Sequence, residues 1–198
     1  MKIANMLKLG LTLALFAAAA CVMLAFVYTG TMSIIDQRQK ADLEAALLEI
    51  FPDADFFKPV TDISSPDTLV SIEDAYEAQR NGERVGAALR LSRAGYGGPI
   101  ILLTGIGIDG TITGVKIMGH SETPGLGANA ASPSYFVDSL MKITFYGQFK
   151  GKNINDAFEV KNDVAAITAA TITSRAVASS VKTAAAAAGT WFGGLEGK

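Results

Sequence analysis

Four hydroxyls lie close together in the stretch Val164–Val177: Thr168, Thr171, Thr173 and Ser174. The residues before them, Val164 to Ile167, are apolar and short, and predict a buried strand. The residues after them predict a helix, because Val177, Val181, Ala184, Ala185 and Ala188 recur at helical spacing. The hydroxyls therefore fall at a helix start, where the first backbone N–H groups lack partners and the helix dipole is positive. Ala169 and Ala170 are small enough for a ligand to approach that backbone closely. Such a place suits an anion, and phosphate is the commonest one. Ser and Thr also gather at helix starts simply as caps, and from these residues alone both readings stand.

A second group of polar residues sits in a glycine-rich loop, His120-Ser121-Glu122-Thr123-Pro124-Gly125-Leu126-Gly127. Gly119, Gly125 and Gly127 admit positive φ, and Pro124 stiffens the turn. Loops carried on a rigid sheet are where ligand contacts concentrate. His120 is the only histidine in the chain, so a multi-histidine metal site is excluded. By itself it reads as a surface or structural group, and its place beside Glu122 makes a ligand role the alternative. No nucleophile–His–acid set, paired acid/base carboxylates or nicotinamide fingerprint is present.

The elements that must position these groups follow from patterning. Arg84–Arg93 and Pro99–Ile108 read as strands. Asp109-Gly110 is a two-residue hairpin signal, and Thr111–Met118 is the return strand. The apolar alternation slips between Ile112 and Val115, which predicts a bulge at Gly114. That strand delivers His120–Gly127 at its end. Ser132-Pro133 reads as a helix start, with Tyr135, Phe136, Leu140 and Met141 as an apolar stripe. Gly189 reads as the end of the last helix, with Trp191 and Phe192 packing back on the domain. Ser33–Phe51 reads as a helical stalk with Leu43, Leu47, Ile50 and Phe51 on one face, stopped by Pro52. Asp53–Asn81 shows no period and reads as an irregular connection with a solvated acidic surface.

Leu9–Tyr28 is an uncharged apolar run of about the length needed to cross a ~30 Å hydrocarbon core. A cleaved signal peptide has a shorter apolar core of roughly 7–15 residues and a small-x-small cleavage site. Neither fits here, so the run reads as a retained anchor. Lys2 and Lys8 precede it; Arg38 and Lys40 follow among acids, so the positive-inside rule gives a modest preference for a cytoplasmic N-terminus. The 198-residue chain has a formal net charge of −2, and no basic cluster with interleaved aromatics points to nucleic acid. Its single cysteine, Cys21, lies in the apolar run, so neither a disulfide nor an iron–sulfur ligand set can form within the chain.

The segment Thr168-Ala169-Ala170-Thr171-Ile172-Thr173-Ser174 resembles the Ser/Thr-Gly-Ala-Thr-x-Thr-Ser motif of the FMN-binding domain family found in RnfG and NqrC. Glu122-Thr123-Pro124-Gly125-Leu126-Gly127 resembles that family's second signature, and the two blocks occur in the family's order after one membrane span. The resemblance implies an α+β chain: a transmembrane helix, then a single extracytoplasmic FMN-binding domain with an antiparallel sheet and flanking helices. The divisions expected are 1–30 for the tail and span, 31–82 for the stalk and connection, and 83–198 for the FMN-binding domain.

The resemblance also implies FMN carried through a phosphoester on Thr171, attached by a flavin transferase. Thr168, Ala170, Thr173 and Ser174 are then expected at the phosphate end. His120, Glu122, Thr123, Gly125 and Leu126 are expected towards the isoalloxazine. It implies an electron carrier without a complete active site of its own, working among other membrane subunits as a subunit of a membrane-bound, redox-driven ion translocase, an Rnf-type ferredoxin:NAD oxidoreductase. The NqrC-type subunit of a sodium-translocating NADH:quinone reductase and a membrane-anchored non-redox binding module are the alternatives. Two departures stand out. The family core has Gly at the position of Ala169, a mild change if the backbone there avoids positive φ. The family also has an acid at the position of Ala165, where the nearest acid here is Asp163.

Overall fold

The computed structural model describes residues 3–196; Lys2 lies outside them. The first element is one helix, α1, Ile3–Ile50. It contains an 18-residue window of mean hydropathy 2.4, none of it buried, and is long and apolar enough to cross a membrane. The chain divides into two compact units, Met1–Leu43 and Glu44–Lys198.

The second unit is built on a five-stranded antiparallel meander: β1 Phe56–Val60, β2 Val70–Arg80, β3 Glu83–Ala94, β4 Pro99–Gly107 and β5 Ile112–Gly119, in that spatial order. The expected strands and the Asp109-Gly110 hairpin are present. The slip in β5 is also present: Gly105 pairs with Gly114 and Ile106 with Ile112, so Thr113 is the extra residue. The expected irregular connection is corrected, because it contains β1 and β2. β1 has mixed polarity and contains Pro59, which a strand tolerates at a sheet edge because no ladder donor is needed there. The sheet thus begins well before residue 83.

Side chains alternate between the two sheet faces. One face carries Leu89, Leu91, Ile100, Leu102 and Ile106, and packs with helix α2, Thr171–Glu196. Val177, Val181, Ala184, Ala185 and Ala188 of α2 are all fully buried, as the spacing predicts. The helix does not stop at Gly189. It continues because Trp191 and Phe192 are half-buried against the core and the Arg84 guanidinium lies 4.9 Å over the Trp191 ring. Arg84 is itself paired with Glu77 at 3.0 Å.

The other sheet face carries Ala88 and Leu103, and receives Ile50 and Phe51 from the segment after residue 44. Glycine makes this docking possible. A Cβ on Gly105 would lie 2.0 Å from Ile50 Cγ2, and one on Gly86 would lie 2.7 Å from the Phe51 ring. Leu47, Ile50 and Phe51 are accordingly buried.

Between β5 and α2 the expected 133–141 helix is replaced by a hairpin of β6, Phe136–Asp138, and β7, Ile143–Thr144. Asp138 Oδ1 accepts the N–H groups of Leu140 and Met141, both at 2.9 Å, and this side-chain turn competes with helix formation. Leu140 is 97% exposed, so the apolar stripe does not exist. The expected strand at Val164–Ile167 is likewise absent; only an isolated bridge joins Val160 to Val164. Here the chain is shaped by Asp163. Its carboxylate accepts from the N–H of Glu159 at 2.6 Å, the N–H of Phe158 at 3.0 Å and Lys152 Nζ at 3.1 Å.

Burial pushes the Asp163 carboxyl up, but the Glu159 N–H, the Lys152 ammonium and the Phe158 N–H together hold it below the ordinary aspartate value. A depressed value in the folded state stabilises the fold above the unfolded-state pKa of about 3.9, and that contribution is lost as pH falls below it. Thermal unfolding followed from neutral pH to below 4 should therefore show an acid-side loss of stability that Asp163→Asn reduces. Gly105→Ala should cost about 1–3 kcal/mol in denaturant unfolding, because its methyl group overpacks the seat of Ile50.

Candidate functional site

The two sequence motifs meet across one cleft of about 420 Å³, within the size range of small-molecule sites. Its walls include Tyr96, Thr123, Leu126, Ala169, Ala170, Thr171 and Ile172. A larger hollow of about 570 Å³ runs along Ile63–Ile72 and the end of β3. It contains none of the motif residues.

Each wall is a tight turn. Thr123-Pro124-Gly125-Leu126 closes through the Leu126 N–H on the Thr123 carbonyl at 3.2 Å, with φ of +77° at Gly125. Pro then Gly at the two central positions is the sequence that a type II turn requires. The turn leaves Leu126 41% exposed on the cleft. Opposite it, Ile167-Thr168-Ala169-Ala170 closes through the Ala170 N–H on the Ile167 carbonyl at 3.1 Å. Its third residue, Ala169, has φ of +58°. The condition for a mild Gly-to-Ala change is not met: this backbone is in the left-handed region, where a Cβ is strained.

The four hydroxyls divide sharply. Ser174 is fully buried, and its Oγ donates to the Ala170 carbonyl at 2.9 Å while accepting the Ile167 N–H at 2.9 Å. Thr173 is 1% exposed and donates to Glu122 Oε2 at 2.7 Å. Both side chains hold the loop and helix together, with their hydroxyl protons engaged within the protein. Among the described residues no hydrogen bond engages the hydroxyls of Thr168 or Thr171. Thr168 is exposed outside the cleft wall, and its N–H donates to the Tyr135 hydroxyl at 3.2 Å. Thr171 is on the wall, at the first position of α2. The Ser174 N–H bonds the Ala170 carbonyl at 3.0 Å, which places Ala170 at the helix cap. Alanine has no side-chain oxygen for the N–H groups of Ile172 and Thr173, so the helix start keeps its donors for a ligand.

Glu122 does not present its carboxylate freely to the cleft. It is 6% exposed. Oε1 accepts the N–H of Tyr96 at 2.8 Å and of Gly97 at 3.1 Å, and Oε2 accepts from Thr173. A Cβ on Gly95 or Gly127 would come within 2.2 Å of one of these oxygens. His120 is half-buried, and its Nδ1 accepts the Glu122 N–H at 3.2 Å, so it shapes this loop rather than lining the cleft. Gly125 likewise acts through the turn.

Sequence reasoning misses Tyr96 and Ile172. They are 72% and 54% exposed, unusual for large apolar side chains, and they add to Leu126 an apolar surface for a flat ring. The sequence signal was an isolated aromatic among Gly95, Gly97 and Gly98, and an isoleucine on the polar first turn of a helix. Gln148 is also missed. Its side-chain amide bonds both the N–H of Ala165, at 2.7 Å, and its carbonyl, at 3.2 Å. The backbone is thus pinned where the related motif carries an acid.

A family model described as the FMN-binding domain matches residues 95–186, and one described as the RnfG N-terminal region matches residues 1–50. The G subunit of the ion-translocating oxidoreductase complex of Methanosarcina acetivorans is 35% identical over 181 residues, which cover 89% of this chain and 91% of that protein. This chain belongs to the RnfG family. The G subunit of the Na(+)-translocating ferredoxin:NAD(+) oxidoreductase complex of Acetobacterium woodii is 33% identical over 191 residues, 88% of this chain and 87% of that one. Among solved structures, Shewanella oneidensis NqrC is similar at a TM-score of 0.49 and 22% identity, over 63% of this chain and 61% of that chain.

The RnfG N-terminal match ends where α1 ends, and the FMN-binding match opens on the loop that carries Tyr96. The cleft agrees with an FMN site on three counts: an alanine-capped helix start for the phosphate, a free hydroxyl beside it, and exposed apolar side chains for the ring. Among the described residues Ala169 is the one non-glycine of the cleft wall at positive φ. Ala169→Gly should stabilise the protein by about 1 kcal/mol, read as a rise in unfolding temperature.

Proposed function

We propose that this chain is the flavin-bearing electron-transfer subunit of a membrane-bound, ion-translocating ferredoxin:NAD oxidoreductase, with FMN joined to Thr171 through a phosphoester. The observation that carries this reading is the sorting of the hydroxyls. Of the four in the motif, only Thr171 combines an unengaged hydroxyl with a place on the cleft wall. A phosphoester there sits at the positive end of α2, where the N–H groups of its first turn can bond the phosphate oxygens.

Each neighbouring residue then has a role. Thr173 and Ser174 hold the first turn of α2 in place from behind. The Ile167–Ala170 turn brings Ala170 close to the phosphate, and Thr168 stands outside it. Thr123 offers a hydroxyl to the ring's polar edge, and Leu126, Tyr96 and Ile172 exclude water from its faces. When bound, the flavin supplies the redox chemistry; the protein supplies position and electrostatics. Covalent attachment keeps the carrier at its station, where a dissociable FMN would be diluted away.

Maturation requires a flavin transferase that reads this segment despite Ala165 and Ala169. The partners are the other membrane subunits of the complex. α1 anchors the chain as a single span with the N-terminus cytoplasmic and the FMN domain on the extracytoplasmic side. The absence of charged residues from Leu9–Tyr28 suits an anchor rather than an ion pathway.

The test is the intact mass of the denatured full chain after co-production with the transferase. The wild type should gain FMN less one water, with the increment mapping to the peptide that contains Thr168–Arg175. Thr171→Ala should carry none while folding normally, and Thr171→Ser should keep it. An unmodified wild type in the presence of an active transferase would favour a non-redox binding module.

A further inference from the structure

The Glu122 carboxylate is the buried charged group at the cleft, and it touches both of its sides. Its three hydrogen bonds reach the Tyr96 loop through two N–H groups and the first turn of α2 through the Thr173 hydroxyl. Among the described residues no Lys, Arg or His side chain bonds its carboxylate. Its negative charge is therefore held in the cleft wall by dipoles alone: two amides, one hydroxyl and the start of α2. At low effective dielectric such a charge acts strongly on anything bound beside it.

We propose that Glu122 is the positioning residue of the flavin site: it clamps the two walls at a fixed separation, and its charge holds down the reduction potential of the flavin. The inference rests on the FMN reading of Thr171. Reduction adds an electron to a flavin held in the cleft whose wall carries this negative charge, so removing the charge raises the midpoint potential. A role confined to folding would leave the potential unchanged.

Glu122→Gln separates charge from shape. Its Oε1 can still accept from Tyr96 and Gly97, and its Nε2 can donate to Thr173 Oγ1. The measurement is a redox titration of the full-length, transferase-matured chain, with intact mass reporting flavin loading and thermal unfolding reporting the fold. The loaded Gln variant should titrate at a more positive potential than wild type, and an unchanged or more negative potential would overturn the proposal. Should the Gln variant not load or not fold, the clamp is tested at its other end. Thr173→Val keeps the charge but removes the donor. It should lower the unfolding temperature, because the buried carboxylate loses a donor, yet in the still-folded variant slow the initial rate of FMN uptake several-fold, with Thr173→Ser restoring both. Equal uptake by the Val variant and wild type would overturn the clamp. A wild type without the FMN increment would remove the flavin reading, and this inference with it.

Discussion

The burial of one carboxylate governs the architecture of the cleft. Glu122 is an acceptor-only group, and taking it out of water is tolerated only if donors replace the lost hydration. It finds them on segments far apart in the chain: two amides after β3 and a hydroxyl on α2. Glycine follows as a necessity, since any side chain at Gly95 or Gly127 would occupy the space of the carboxylate oxygens. His120 then fixes the Glu122 backbone from the other side. A run of residue types that looks like a ligand-binding signature is thus, in large part, the signature of the group that holds the site together.

Around that centre, two tight turns face each other and carry the surfaces that a ligand would meet. One is built from Pro124 and Gly125, which suit their conformations. The other places Ala169 in a conformation that favours glycine, and Ser174 keeps it there by bonding both ends of the turn. The start of α2 is left with a non-bonding cap at Ala170. In an ordinary helix this would be a small loss; here it leaves the first N–H groups of α2 open to an anion beside an unengaged Thr171 hydroxyl.

The sheet below serves both jobs, support and attachment. Its α2 face builds the main core, and its opposite face seats Ile50 and Phe51 in space opened by Gly86 and Gly105. Glycines inside strands usually weaken them, and here they allow a close approach that larger residues would block. The strands β1 and β2 lie between the two regions matched by family models, yet they complete the sheet that presents the cleft.

Much of this was readable along the chain. Alternation and the Asp109-Gly110 turn determined β3, β4 and β5; helical spacing determined the buried face of α2; the uncharged apolar run determined a helix able to span a membrane. These are local signals, and local backbone preference and periodicity suffice for them. The motifs at 120–127 and 168–174 meet across one cleft. What the sequence could not determine was the use of each residue there. Thr171, Thr173 and Ser174 are chemically alike, and only their directions in the folded chain separate a free hydroxyl from two that are consumed. Tyr96 and Ile172 became cleft residues, β1 became an edge strand and Leu140 became a hairpin tip for the same reason. Burial, hydrogen-bond partners and the sign of φ at Ala169 depend on segments that meet only in the tertiary structure.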